Sequence, residues 1–142
     1  MVGWHESHAL VDSLTADELL KPGYYSEGWT VRDLMAHLSA WLAEGGNQLE
    51  QIHAGTYHEG ELDVEAANLR FAELTKEIAF DDVYAQAWAS RWRMLGVWRD
   101  LTEINSSAGD WLDKVGAQHY AEHLPRLREW AAELVDLRVV AR

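Results

Sequence analysis

The clearest helix start in this chain is the segment Thr30-Val31-Arg32-Asp33-Leu34-Met35-Ala36-His37-Leu38-Ser39-Ala40-Trp41-Leu42. Thr30 is a typical N-cap residue, and Asp33 stands three residues later, as in an acidic variant of the capping box. Trp29 and Leu34 flank this cap at the spacing of a hydrophobic staple. The apolar residues that follow recur at helical spacing: Val31, Leu34, Leu38, Trp41 and Leu42. A helix with one buried face is therefore predicted from this cap to about Ile52, ending at Ala54-Gly55.

The remainder of the chain also favours helices. Only two prolines occur, Pro22 and Pro125, and no alternation typical of a strand lasts more than a few residues. Further helices are predicted at Trp4–Leu14, in a short turn at Ala16–Leu20 capped by Thr15, from after Asp63 to about Ile78, at Val83–Leu101, and from Asp110 to about Leu137. Residues 105–109 are predicted to form a loop, and Pro125 to kink or split the last helix. We expect an all-α fold, a helical bundle in which residues 1–142 form one domain.

Charge and composition exclude several classes of protein. The chain has 142 residues, and its 24 acidic and 12 basic residues give a net charge of −12. Such a charge repels phosphate backbones and anionic lipids, so neither nucleic acid nor a membrane is the expected partner. The absence of cysteine excludes disulfides and thiolate metal sites. No signal peptide or membrane-spanning run is recognised, so a cytoplasmic location is expected.

Three histidines are candidate metal ligands. His119 and His123 are four residues apart and therefore share one helix face, the spacing of many zinc-binding pairs. His37 lies on or beside the apolar stripe of the Thr30 helix, where an imidazole needs a partner for its ring nitrogens. Three neutral imidazoles form the open donor set of a catalytic metal and suit zinc, nickel, copper or iron. The alternative is that these histidines are structural residues of the bundle.

Glu122 and the other histidines have less specific interpretations. His119 to His123 also reads His-x-x-Glu-His, the inverted zinc-peptidase motif with Glu122 as general base, but no distant acidic ligand is recognised. Glu122 is otherwise a solvated residue or a partner that orients a histidine. The four remaining histidines are expected at the surface: His5, His8, His53 and His58.

The aromatic and arginine residues leave alternatives open. Trp88, Trp92 and Trp98 form a helical stripe and are predicted to lie in the core. Trp41 follows His37 by one turn and either packs in the core or forms a wall of a pocket above the metal. Two arginines either hold an anionic substrate or pair with surface carboxylates: Arg91 and Arg93.

Two segments resemble the DinB/YfiT-like superfamily. Gly28-Trp29-Thr30-Val31-Arg32-Asp33-Leu34-Met35-Ala36-His37-Leu38-Ser39-Ala40-Trp41 is similar to its first signature, and His119-Tyr120-Ala121-Glu122-His123-Leu124-Pro125-Arg126-Leu127 to its second. Leu19 and Pro22 also fall where a further stretch of that pattern usually lies. The first helix is several residues shorter than in the family, and the pair Gly45-Gly46 departs from its pattern.

The resemblance implies a four-helix bundle with up-down-down-up topology that commonly forms a homodimer. It also implies a divalent metal, with zinc or nickel favoured, held by His37, His119 and His123. Members include enzymes that use a low-molecular-weight thiol such as mycothiol, whose thiol pKa the metal lowers, and the expected reaction is thiol transfer, isomerisation or hydrolysis of a small electrophile. The alternative is a small-molecule binding or resistance protein that resembles the colibactin self-protection branch. This branch is favoured by the end of the second signature, where Tyr120, Glu122, His123 and Trp130 fit its pattern. Neither catalytic nor cofactor-binding residues beyond the three histidines are assigned.

Overall fold

The computed structural model describes residues 3–141, and all regular secondary structure in this range is helical. The helices, numbered in chain order, are α1 (Trp4–Asp12), α2 (Ala16–Leu19), α3 (Val31–Ala54), α4 (Val64–Thr75), α5 (Phe80–Asp100), α6 (Ser106–Val115) and α7 (Ala117–Val140). The predicted all-α fold is thus confirmed. No helix in this range is both long enough and apolar enough to span a membrane.

Helix α3 is the central element of the packing, since it contacts α2, α4, α5 and α6. The side chain of Thr30 accepts a hydrogen bond from the backbone N–H of Asp33, and the Asp33 carboxylate accepts one from the backbone N–H of Thr30. This capping box confirms the predicted start of the helix. Gly55 ends it with a φ of 74°, a left-handed conformation that favours glycine. The predicted stripe is buried: Val31, Leu34, Leu38, Trp41 and Leu42.

The N-terminal region matches the prediction closely. Helix α1 is as short as expected and packs on α7. Thr15 caps α2 through a second capping box with Glu18. The Glu18 carboxylate also accepts hydrogen bonds from Arg138 near the end of α7, which joins α2 to that helix.

The C-terminal third differs from the prediction. Residues 105–109 are not a loop, because α6 begins at Ser106 and the side chain of Asn105 caps it by accepting from the N–H of Ala108. Asp110, where the last helix was predicted to begin, lies inside α6. The chain then breaks at Gly116 (φ −102°, ψ −108°), and a separate helix begins at Ala117.

Pro125 does not split α7, which is continuous from Ala117 to Val140. The break occurs at Gly116 instead, because the backbone there leaves the helical region. Because a separate helix begins after Gly116, His119 lies in the first turn of α7.

Two of the three tryptophans predicted to form a core stripe on α5 lie outside the core, whereas Trp98 is half-buried and packs against it. Trp92 is 70% exposed and Trp88 is 43% exposed. The buried residues of this helix are instead small or flexible: Val83, Ala87 and Met94. Helix α5 begins at Phe80, three residues earlier than predicted, and α4 ends at Thr75 rather than Ile78.

His8 contradicts the prediction of a surface histidine, since it is only 3% exposed. Its ring stacks on Trp4 with 3.9 Å between centroids, and its Nε2 lies 3.2 Å from the hydroxyl of Tyr120. The prediction is wrong because α1 packs on α7 with the side that carries His8. His5, His53 and His58 are exposed, as predicted.

Candidate metal centre

Helices α3 and α7 bring three imidazoles together. His37 lies in the second turn of α3, whereas His119 and His123 are one turn apart near the start of α7. Nε2 of His37 lies 2.8 Å from Nε2 of His119. The ring centroids are 4.7 Å (37–119), 5.3 Å (37–123) and 5.0 Å (119–123) apart. One ring nitrogen of each histidine lies within 4.8 Å of the other two. The residues that the sequence singled out therefore share one site.

Neighbouring aromatic residues hold the rings in place. Trp29 packs edge-on against His37, with 5.5 Å between ring centroids. The hydroxyl of Tyr25 lies 3.4 Å from Nδ1 of His123. The segment that carries Tyr25 is tied to α7, because the Arg126 guanidinium donates hydrogen bonds to the carbonyl oxygens of Gly23 and Tyr24. The loop before α3 thus positions a side chain of α7.

Burial favours the neutral form of all three rings. Burial lowers the pKa of His37 to about 4, with a smaller effect from the charge of His123. Burial lowers the pKa of His119 to about 3, and the neighbouring histidines lower it further. Burial also lowers the pKa of His123, although the charge of Glu122 opposes this. Neutral imidazole is the form that donates a lone pair to a metal.

The donor set fits a divalent metal. Two nitrogens bonded to a tetrahedral zinc at about 2.0–2.1 Å lie roughly 3.4 Å apart. One pair of ring nitrogens here lies closer than that, at 2.8 Å, and the three ligand atoms lie within 4.8 Å of one another. Small rotations of the rings would therefore seat an ion. With three protein ligands, positions remain for a small molecule. Imidazole donors suit zinc, nickel, copper and iron.

A large cavity opens beside the histidines. Its volume is about 1010 Å³, at the upper end of ligand pockets. The three histidines form part of its lining, together with the apolar and aromatic residues Trp41, Tyr57, Leu62, Val64, Trp111 and Val115. The site is thus accessible to a small organic molecule.

Trp41 combines the two roles that the sequence left open. It is only 7% exposed, as a core residue would be, and it also lines the cavity. Its Nε1–H donates to Oδ1 of Asn68 at 2.7 Å, and Phe71 packs edge-on against its ring at 5.2 Å. These two contacts fix the indole as a rigid wall of the cavity.

The remaining candidates are resolved by position. Glu122 is exposed and lines the cavity, but the metal-competent cluster found in residues 3–141 contains no carboxylate, which gives no support to the zinc-peptidase interpretation. Arg93 pairs with Glu50 at 2.8 Å, which is the surface alternative. Arg91 forms no ion pair with a carboxylate among residues 3–141, and its guanidinium lies over the ring of Trp4 at 4.6 Å.

Sequence reasoning missed Tyr25 and the segment between α3 and α4. Tyr57, Glu59 and Glu61 of this segment line the cavity. It is fixed to α6 by two hydrogen bonds, from Trp111 Nε1 to the Tyr57 hydroxyl at 3.2 Å and from Ser107 Oγ to Glu59 Oε1 at 2.6 Å. Loop residues have no periodicity, so no sequence signal distinguished them.

Fold and site together define an all-helical protein with a three-histidine cluster that opens into a cavity. Comparisons of the chain with protein-family models, with curated proteins and with solved structures gave no match.

Proposed function

We propose that this chain is a divalent-metal enzyme of the DinB-like superfamily, with His37, His119 and His123 as its metal ligands and zinc or nickel as the favoured ions. The observation that carries the proposal is the convergence of three imidazoles within 4.8 Å at the wall of a large cavity. In this proposal the long helices form the four-helix bundle with up-down-down-up topology that the superfamily resemblance implies.

The bound metal would act as a Lewis acid that lowers the pKa of water or of a thiol, so that a nucleophile is present at neutral pH. The chain itself supplies the neutral imidazoles, and Tyr25 orients that of His123. Trp41 provides a fixed apolar wall, which shields the reacting groups from bulk water and aligns a substrate.

The reaction class that fits this arrangement is attack on a small electrophile by water or by a low-molecular-weight thiol such as mycothiol. In the thiol case the sulfur forms a bond to the electrophilic carbon, and the leaving group departs with the bonding electron pair while the thiol proton passes to solvent. Thiol transfer, isomerisation and hydrolysis share this first requirement of an activated nucleophile.

A second candidate is a protein that binds a small molecule without turning it over, as in the resemblance to the colibactin self-protection branch. The cavity volume of about 1010 Å³ and its three aromatic walls favour this alternative, since they are sufficient to enclose a ligand. The third alternative is that the histidines have a purely structural role. It is supported by the 2.8 Å hydrogen bond between Nε2 of His37 and Nε2 of His119, which gives each of these two nitrogens a partner.

Metal content separates these candidates. The untagged protein is purified and its bound metal is measured for the wild type, for His119→Ala and for the control His53→Ala, whose ring is exposed and outside the cluster. The enzyme proposal expects about one ion per chain in the wild type and control, and a loss of most of it in His119→Ala. Metal well below one ion per chain in the wild type favours the binding protein. Equal metal in all three proteins contradicts the proposed site.

A further inference from the structure

The cavity beside the histidines has a marked charge asymmetry. Four carboxylates and one ammonium line it, namely Glu59, Glu61, Asp110, Glu122 and Lys114, which gives this lining a net charge of −3. All five residues are exposed, so the charge lies toward the mouth of the cavity. None of the four carboxylates forms an ion pair with a cation among residues 3–141.

The less exposed part of the cavity lining is mostly aromatic. Trp41 is buried, while Tyr57 and Trp111 are half-buried and joined to each other by a hydrogen bond of 3.2 Å. Tryptophan and tyrosine rings attract organic cations through their faces, and they also pack against other aromatic rings. The histidine cluster belongs to the same less exposed part of the lining, since each of its rings is half-buried whereas the four carboxylates are exposed.

The acidic residues of the mouth are held there by the fold. Ser107 Oγ donates to Glu59 Oε1 at 2.6 Å, which links the segment between α3 and α4 to α6. Gln118 Nε2 donates to Glu122 Oε1 at 3.4 Å. Neither contact neutralises the carboxylate, since both donors are uncharged. The negative charge at the mouth therefore remains available to a ligand and adds to the net charge of −12 of the whole chain.

We propose that the cavity selects a small molecule with a positive charge, an amine or a guanidinium, at one end of an aromatic or apolar body, and excludes molecules whose only charged groups are carboxylates or phosphates. The cationic group lies at the mouth between Glu59, Glu61 and Asp110. The other end of the molecule, which carries the reactive group, faces the histidines. This assignment rests on the proposed function only for the reactive end, because the selection by charge follows from the cavity lining alone.

The orientation follows from like-charge repulsion. A divalent ion on three neutral imidazoles keeps its full positive charge, so the cationic end of a ligand is driven away from it and toward the carboxylates. A ligand that is neutral or anionic at one end and cationic at the other matches both ends of the cavity. A dianionic substrate would be attracted by the metal but repelled by the carboxylates at the mouth of the cavity.

The test uses the cobalt(II)-loaded protein and three benzenethiols that differ only at the para position. These probes are 4-(aminomethyl)benzenethiol, 4-methylbenzenethiol and 4-mercaptobenzoate. Binding of each thiol is followed by the near-ultraviolet absorption of the sulfur–cobalt bond. The aminomethyl probe is expected to bind at least about tenfold more tightly than the carboxylate probe at low salt, with the methyl probe between them. The difference should shrink as salt is added, because exposed carboxylates are screened.

The double variant Glu59→Gln/Glu61→Gln should bring the three affinities together. The control Glu65→Gln removes an exposed carboxylate that does not line the cavity and should keep the wild-type order. Equal binding of the three probes by the wild type, tighter binding of the carboxylate, or an unchanged order in the double variant would each overturn the inference.

Failure of the proposed function has a different signature, since no cobalt spectrum would form. The selection by charge is then tested without metal, by the quenching of tryptophan fluorescence with 4-methylbenzylamine and with 4-methylbenzoate. Preferential binding of the amine supports the inference even in that case, and equal or reversed binding overturns it.

Discussion

A Cβ atom at Gly45 would lie 2.5 Å from Cγ2 of Val115, so α3 and α6 approach each other as closely as they do only because residue 45 is glycine. The same Cβ would lie 3.0 Å from the sulfur of Met94 in α5. Gly45 is buried, and Val115 lines the cavity. Gly45 therefore sets the distance between the central helix and one wall of the candidate site.

Gly45→Ala is expected to destabilise the protein by about 1–3 kcal/mol, because the new methyl group overlaps Val115 in a packed interior. The matched control is Gly109→Ala in α6, where a Cβ would meet no atom within 4 Å. That variant should be neutral or stabilising by up to about 1 kcal/mol, since alanine favours helix. Urea unfolding measures both. A Gly45→Ala protein as stable as Gly109→Ala would show that the helices are not in contact here.

The sequence predicted the centre of this fold better than its periphery. The Thr30 capping box and the buried stripe of α3 follow from local rules, since a cap and an amphipathic period act within one helix. The His119–His123 pair is likewise local. His37 was predicted as a ligand from the superfamily resemblance and from its place on the α3 stripe. In the structure it lies beside the His119–His123 pair.

The failures share a physical cause, which is that they depend on neighbours distant in sequence. Trp88 and Trp92 have helical spacing, but α5 buries smaller residues against α3 and leaves these rings outward. His8 is buried because α1 packs on α7. Tyr25 reaches His123 only because Arg126 ties its loop to α7. None of these contacts has a spacing that a single sequence displays.

Removal of the metal is expected to lower the melting temperature of the protein by several degrees. An ion that binds the native state alone stabilises it by about 2.7 kcal/mol at a free concentration of a hundred times the Kd. For a domain of this size each kcal/mol corresponds to roughly 3–5 °C. The melting curve is recorded with and without EDTA, for the wild type and for His119→Ala. The variant should show no shift, and an equal shift in both proteins would mean that the chelator acts elsewhere.

Tyr25→Phe should weaken zinc binding by about tenfold, the lower end of the range seen for residues that orient a metal ligand. When Nε2 of His123 faces the metal, its Nδ1–H donates to the Tyr25 oxygen at 3.4 Å, and phenylalanine cannot accept that bond. Competition with a chromophoric chelator measures the affinity. Tyr57→Phe is the control, because that hydroxyl accepts from Trp111 and contacts no histidine of the cluster. Equal zinc affinities for the wild type and Tyr25→Phe would show that Tyr25 does not contribute to metal binding.

His8 is expected to make the fold sensitive to acid. Burial lowers its pKa from 6.5 to about 4, the charge of Asp12 opposes this, and Arg91 and His5 add to it. The other groups around the ring are uncharged aromatic side chains: Trp4, Tyr84, Trp88 and Tyr120. Between about pH 6.5 and about pH 4 the unfolded chain therefore binds a proton that the folded chain does not, so the stability due to neutral His8 is complete above this window and falls within it.

The size of this effect is about 2 kcal/mol between pH 7 and pH 5. Urea unfolding at these two pH values is compared for the wild type, for His8→Phe and for His5→Gln. His8→Phe keeps a ring against Trp4 but cannot titrate, so its loss of stability on acidification should be smaller than that of the wild type by about this amount. The histidines of the cluster titrate in both proteins, and their contribution cancels in the difference. His5→Gln removes an exposed ring and should retain the wild-type loss. If His8→Phe loses as much stability on acidification as the wild type, protonation of His8 is not what destabilises the folded protein.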